Sequence, residues 1–339
     1  MSTSPKPFPR VPDAAASPRR LRDWMLLAGL LALVVIGLAG LAAATGWQET
    51  VDALASLSFG GLAILLVLSL VNYLFRGLRW HLYANRLGLS TGYAQNMLHF
   101  LGGFAMSVTP GRVGELVRMR WIGRETGWSF ERTAPLVLVD RAADLSAMAI
   151  LLALSLSLST TGIAGAAPVA VLALAAAIIA TRPALLRRVA NLFHAISGRR
   201  FPRLFARVRR AATSLKSFSS PSVLIIAGLL GTVGWLAEGY AFYLLLDWLG
   251  ADIGFWTAVG VFIFATLAGG LTGAPGGLGG AEIAMVALLI LYGVPAEIAG
   301  PATLVIRVTT LWFAIAIGLI VFPFAEHRSK RAQAHALET

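Results

Sequence analysis

No cysteine occurs anywhere in this 339-residue chain. Disulfides, thiolate metal sites and thiol nucleophiles are therefore excluded. Charge is scarce as well, 13% of residues against 57% hydrophobic, about half the charged share of an ordinary soluble domain. Acid is scarcest, with 16 Asp and Glu against 28 Lys and Arg, a net charge of +12. The five histidines (His81, His99, His194, His327 and His335) show no metal-ligand spacing, so no metal and no cofactor is expected. The glycine-rich stretch 273–280 lacks the Gly-Lys-Ser/Thr of a phosphate-binding loop, and no nucleophile elbow is present.

What is present is a series of apolar runs of about 20 residues, the length needed to cross a hydrocarbon core roughly 30 Å thick. The basic residues sit between those runs. A positive-inside bias accounts for that placement, so no nucleic-acid partner is expected. The fold expected is all-α: a polytopic membrane protein of about six spanning helices plus two re-entrant helical hairpins in an inverted repeat.

The repeat is visible in two Pro/Gly clusters. Thr109-Pro110-Gly111-Arg112-Val113-Gly114-Glu115 is matched by Ala274-Pro275-Gly276-Gly277-Leu278-Gly279-Gly280-Ala281-Glu282. Each follows an apolar run opened by Phe, and each places Glu after the cluster. Residues 72–88 align without a gap over 234–250, and Val139-Asp140-Arg141 over Val305-Ile306-Arg307. Pro and Gly at matching positions inside apolar segments point to broken helices and a central binding site.

In chain order, residues 1–23 are expected to be a disordered basic cytoplasmic tail, with five Pro and the cluster Arg19-Arg20-Leu21-Arg22. Residues 24–325 form the membrane domain. Its first run, Trp24–Ala44, reads as an uncleaved anchor; a signal peptide cut after Ala42-Ala43-Ala44 is the rival. Gly60–Tyr83 is the second span, ending in Arg76, Arg79, His81 and Arg86, with Trp80, Tyr83 and Tyr93 read as residues of the water interface. Gln95–Arg124 enters as an apolar arm and leaves as one too charged to cross lipid, so it reads as the first hairpin. Thr133–Ser159 and Ala167–Ala180 are the next spans. Residues 182–220 carry ten Lys/Arg and no acid, a cytoplasmic loop; attraction of anionic lipid to its arginines is an added reading. Val223–Leu246, the hairpin Trp256–Leu291 and Pro301–Phe324 complete the domain, and 326–339 is a basic tail. Repeat one covers about 60–159 and repeat two about 222–324. Both termini are then cytoplasmic, and one hairpin enters from each side.

Charges at membrane depth are the candidate chemistry. A helix that restarts after a break presents free N–H groups and a positive dipole end, suited to phosphate or carboxylate. Thr109, Gly111 and Arg112 stand at such a start in the first hairpin and Gly276 in the second. In the plainer alternative Pro110 and Gly111 make a tight turn, and Arg112 pairs with Glu115 or Asp140. Glu115 and Glu282 are helix-end stabilisers, counter-charges to Arg141 and Arg307, or proton carriers; all three readings stand. Asp140, Arg141 and Asp144 share one helical stripe, with Arg141 expected to pair with Asp144. Arg307 has no acid in its own helix, so Glu282 or Glu238 is its expected partner. Arg76 and Glu238 occupy equivalent repeat positions with opposite charge, which suggests a cross-repeat pair.

Four motifs in order, Arg76-Gly77-x-Arg79-Trp80, Thr109-Pro110-Gly111-Arg112-x-Gly114-Glu115, Asp140-Arg141-x-x-Asp144 and Pro275-Gly276-Gly277-x-Gly279-x-x-Glu282, resemble a known family. It is the flippase-like membrane family related to the transmembrane region of lysylphosphatidylglycerol synthases, and the resemblance covers roughly residues 25–325. Members related to archaeal glycosylation and hopanoid-associated proteins are similar in this region. The resemblance implies a multi-pass protein of a bacterial-type inner membrane that moves lipids or lipid-linked intermediates between leaflets. About 15 residues follow the last span, so the aminoacyl-transfer domain of the synthases, and lipid aminoacylation with it, is not expected.

The expected function is thus lipid translocation without catalysis. The substrate would be anionic or phosphate-bearing, bound between the hairpin tips by Arg112, Arg141 and Arg307. Glu115, Asp140, Asp144, Glu238 and Glu282 would balance charge or carry protons. Two alternatives stay open: an integral-membrane enzyme acting on a lipid phosphate or lipid-linked sugar, and a non-catalytic partner of a glycosyltransferase or lipid synthase. Membrane lipids are the expected partners, and the oligomeric state is not legible.

Overall fold

The first long helix owes its start to a cap and its end to a glycine. Ser58 accepts a hydrogen bond from the Gly61 N–H at 3.0 Å, satisfying one of the free donors of the first turn. Gly88, at φ 88°, ends the helix in the left-handed conformation that a residue without Cβ adopts at no steric cost. Between them runs α1, Phe59–Leu87. In this computed structural model the described residues are 57–107, 109, 115–159, 166–196, 215–218 and 220–338, with isolated positions 32, 51, 52 and 55. The tail 1–23, the anchor Trp24–Ala44, the turn 110–114 with Gly111 and Arg112, and the arginines of 199–210 lie outside them.

After α1 come α2, Tyr93–Gly102, extended by a 3-10 turn Gly103–Met106, then α3, Val117–Thr126, and α4, Phe130–Leu158. The helices α5, Ala166–Thr181, and α6, Pro183–Ile196, follow, then α7, Pro221–Trp248, and α8, Phe255–Leu271. A break with the turn Pro275–Gly277 leads to α9, Gly280–Leu291. Last are α10, Ala296–Arg307, a π turn Val308–Trp312, and α11, Phe313–Glu338. No strand occurs among the described residues.

Among the described residues, three helical segments are long and apolar enough to cross a membrane: α1, α7 and the continuous Ala296–His335 rod of α10 and α11. Helices α8 and α9 are shorter apolar segments on either side of a break. The residues read as a basic tail continue α11 as helix to Glu338, and the basic loop 182–220 contains α6. Both are corrections to the sequence reading.

Among the described residues packing forms two large apolar clusters and a small third one of Leu311, Trp312 and Ile315. One large cluster gathers α7, α8, α9 and α10 with the end of α4, around Phe242, Ile263, Met285 and Ile306. The other gathers α1, α2, α3 and the middle of α4, around Tyr73, Trp80, Phe100 and Leu136. Trp80 and Tyr83, read from sequence as interface aromatics, are fully buried in that second cluster, whereas Tyr93 is exposed. The amphipathic Trp and Tyr rings suit an interface, but here Trp80 stacks on the Arg118 guanidinium and Tyr83 meets Phe218 edge-on. Helices α1 and α7 pack along each other, so the two large clusters meet face to face. The ionisable residues collect at that junction.

Candidate functional site

Helix α1 brings Arg76 and Arg79 to one face, since offsets of three and four share a stripe, and α4 presents Asp140, Arg141 and Asp144 opposite. Arg79 is fully buried and holds both acids, at 2.6 Å to Asp140 and 2.6 Å to Asp144. Arg76 reaches Asp144 at 2.8 Å and Asn72 at 3.2 Å. The Trp235 indole N–H donates to Asp144 as well. Arg141 lies 2.9 Å from Asp140, 3.5 Å from Asp144 and 3.5 Å from Glu115. Charges removed from water persist only when paired and hydrogen-bonded; each charge here is paired, while Arg76 Nε, Arg79 Nη1 and Arg141 Nε make no hydrogen bond among the described residues.

Helix α3 contributes Arg118, whose guanidinium lies 3.3 Å from Glu115 and donates to the Phe100 carbonyl at 2.8 Å. It is stacked among the rings of Phe100, Trp80 and Phe104, where the aromatic quadrupole favours a cation. Gly103 makes room for it. A Cβ there would fall 2.0 Å from the Arg118 Nε.

The second half builds a simpler pair. Arg307 donates to Glu282 at 2.5 Å and to the Gly276 carbonyl at 2.8 Å. Gly276 turns its carbonyl there through a φ of 61°, a left-handed conformation suited to glycine. Glu282 lies in the first turn of α9, where a carboxylate also meets the positive end of the helix dipole. One turn beyond Arg307 the helix widens into the π turn, and the Thr310 carbonyl accepts the Tyr73 hydroxyl of α1. Such bulges release backbone groups from the regular ladder.

The two breaks touch. The Gly276 N–H donates to the Ser107 carbonyl at 3.1 Å, and the Ser107 hydroxyl donates to Glu115 at 3.0 Å. A continuous polar chain therefore runs Glu282, Arg307, Gly276, Ser107, Glu115, Arg141. The glutamates and arginines that the two sequence copies set in matching places pair alike, Glu115 with Arg141 and Glu282 with Arg307.

Two cavities open on this chain. The larger, about 360 Å³, is lined by Arg141, Asp144, Arg307 and Gly276 together with apolar residues of α5 and α8, Val169, Leu172, Leu267 and Leu271. The smaller, about 50 Å³, is lined by Tyr73, Arg76, Ser107, Glu238, Arg307 and Thr310 among others. They share Trp235, Thr266 and Arg307. A lining that is part charged and part apolar suits an amphiphile.

A model of the family described as the lysylphosphatidylglycerol synthase TM region matches residues 25–318. This chain belongs to that family. A UPF0104 membrane protein of Methanothermobacter thermautotrophicus is 26% identical over 318 residues, covering 86% of this chain and 94% of that protein. A further match to a UPF0104 membrane protein of the same organism is 31% identical over 120 residues, covering 35% of this chain and 36% of that protein. The chain is thus a membrane protein, in agreement with its apolar helices.

Of the residues singled out from sequence, Arg141, Asp144, Arg307 and Gly276 meet at the larger cavity, with Asp140 and Glu115 behind Arg141 and Glu282 behind Arg307. Glu238 lies 4% exposed beside the smaller cavity with Arg76; Arg76 itself is held by Asp144 and Asn72. Thr109 stands at the first break, where its hydroxyl donates to the Met106 carbonyl at 2.7 Å, and it lines neither cavity. Arg112 and Gly111 fall outside the described residues. The sequence reading placed Arg76 and Arg79 at a helix end and gave Arg118 no partner, yet all three are buried in the network. The signal for the first two was present: Asn72, Arg76 and Arg79 form one polar stripe on an apolar helix. Among the described residues no group of three His, Asp or Glu is placed to hold a metal.

Proposed function

We propose that this protein translocates an anionic or phosphate-bearing lipid, or a lipid-linked intermediate, between membrane leaflets. The observation that carries the reading is the larger cavity, where arginines from both halves of the chain share the lining with apolar residues. A phosphate there meets the guanidinium groups of Arg141 and Arg307, the strongest kind of oxyanion donor, and its tail leaves along α5 and α8. Arg141 suits the role because its side chain is 30% exposed, whereas Arg79 is sealed in the interior. Membership of the family supports a membrane lipid as substrate. The acids of the network hold the arginines in place until substrate competes for them.

The membrane architecture we infer is six spans and two re-entrant hairpins, α2 with α3 and α8 with α9, related as an inverted repeat with both termini cytoplasmic in a bacterial-type inner membrane. Matching pairs at the two breaks support it. So does the contact of Gly234 with Asn72, where a Cβ on Gly234 would lie 3.4 Å from the Asn72 backbone. These are equivalent positions of the two copies, and a two-fold axis between repeats brings equivalent positions together.

The test is leaflet exchange of a fluorescent anionic lipid in proteoliposomes. Arg141→Gln and Arg307→Gln proteins that remain folded are expected to lose most of the exchange. Undiminished exchange in both variants overturns the assignment. Loss of exchange already in the wild type, with co-purification of a glycosyltransferase or lipid synthase, favours the partner role instead.

A further inference from the structure

Helix α6 takes no part in the network, yet its pattern is built. At about 100° per residue, Leu192, Phe193 and Ile196 fall on one arc, and all three are strongly exposed, at 59%, 58% and 72%. Beside that arc Leu186 and Ala190 seat the helix on the protein. The side opposite the exposed apolar arc carries Arg187 and Asn191, and Arg188 borders the arc one turn before Leu192; all three are exposed to solvent. The helix also turns sharply from its predecessor: α5 and α6 are bent by 100° at the Arg182-Pro183 junction. Because α5 carries no charge along its length, its place is within the bilayer, and a right-angled continuation then lies in the membrane plane.

We propose that α6 is an in-plane anchor that docks on an anionic lipid leaflet, with Leu192, Phe193 and Ile196 among the acyl chains and Arg182, Arg187 and Arg188 at the headgroups. Large apolar residues on one face and arginines on the other are the signature of a helix at a bilayer interface. Charge selects the occupant. Residues 182–220 hold ten Lys and Arg and no acid, so the segment complements a negatively charged surface, with an attraction that adds up per basic residue. The anchor has a consequence for the cavity, since Val169 and Leu172 of its wall belong to α5, the helix that α6 tethers. This reading concerns the surface of the protein and stands whether or not the cavity moves lipid.

The native chain has no cysteine, so single-cysteine variants of the full chain are direct probes. Arg187→Cys, Asn191→Cys, Leu192→Cys, Phe193→Cys and Ile196→Cys, each spin-labelled, would be reconstituted into phosphatidylcholine vesicles with and without phosphatidylglycerol. Accessibility to oxygen and to a water-soluble nickel chelate is then read by power saturation. Positions 192, 193 and 196 are expected to be several-fold more accessible to oxygen than to nickel, with the reverse at 187 and 191. Phosphatidylglycerol should deepen the label at 193. A combined Arg182→Gln, Arg187→Gln, Arg188→Gln variant keeps the apolar face and should lose that deepening. Nickel access at all five positions overturns the proposal, as does protection of 192, 193 and 196 from both reagents, which would mean that a second copy or another segment covers the face. Deepening that survives in the arginine variant removes the anionic-lipid assignment.

Discussion

The two halves of the molecule solve the same problem at different densities of charge. Around the first break four arginines, Arg76, Arg79, Arg118 and Arg141, share Asp140, Asp144 and Glu115, and no acid there serves a single partner. Around the second break Arg307 and Glu282 stand as one pair, supported by the Gly276 carbonyl in an otherwise apolar cluster. The first is a mesh spread over three helices, and removing one node leaves several charges exposed to low dielectric. The second is a latch between two helices that can open without disturbing much else. The proposed translocation needs one part that holds its shape and one that yields, and we assign those roles to the mesh and the latch.

The largest expected effect comes from breaking the mesh at its most shared node. Asp144→Ala deprives Arg76, Arg79 and Arg141 of a counter-charge together, at a cost of about 3–5 kcal/mol or more. Thermal unfolding in detergent should show a protein close to the limit of folding; an unchanged midpoint would mean the mesh is not rigid. Breaking the latch should cost less. Glu282→Gln leaves Arg307 its bond to Gly276, so about 3 kcal/mol, the low end for a broken buried pair, is expected. Replacing both partners by apolar residues of similar volume is often neutral, so Glu282→Met combined with Arg307→Met should recover most of that stability.

Smaller still is steric crowding of the mesh. Gly103→Ala places a Cβ 2.0 Å from the Arg118 Nε, and overpacking of this kind costs about 1–3 kcal/mol. Loss of the Arg118 position should show as a change in fluorescence of Trp80, over which Arg118 is stacked. The smallest effect belongs to the exposed clasp between α3 and α11. Arg120 lies 2.8 Å from Glu326 but is 47% exposed. Arg120→Ala should move the unfolding midpoint by no more than the ~1 kcal/mol of a surface pair.

The contrast between mesh and latch was only half visible in the sequence. Arg307 announced its need for an outside partner because its own helix offered none, and Glu282 followed from the repeat. The stripe on α4 was equally plain, as neighbouring charges on one helix face must meet. Arg118 was not, because its surroundings are three aromatic rings and a carbonyl contributed by α1, α2 and the turn after α2, which only the packed structure assembles. Trp80 and Tyr83 misled for a related reason. Their amphipathic rings fit a membrane interface in general, but their burial depends on partners far along the chain, Arg118 for Trp80 and Phe218 for Tyr83. Helix α6 was hidden by the charge of its segment, since a count of arginines masks the spacing of Leu185, Leu186, Val189, Leu192, Phe193 and Ile196. The contact between Ser107 and Gly276 had no signature at all, being made by backbone groups.

The decisive measurement is leaflet exchange by the Glu282→Met, Arg307→Met protein in vesicles, alongside its thermal midpoint. The account predicts a midpoint near that of the wild type and exchange of the anionic probe reduced to background, because the latch and its guanidinium are gone while the mesh is intact. Exchange at the wild-type rate by a protein of wild-type stability would contradict it, and would make the pair a structural tie with no part in moving lipid.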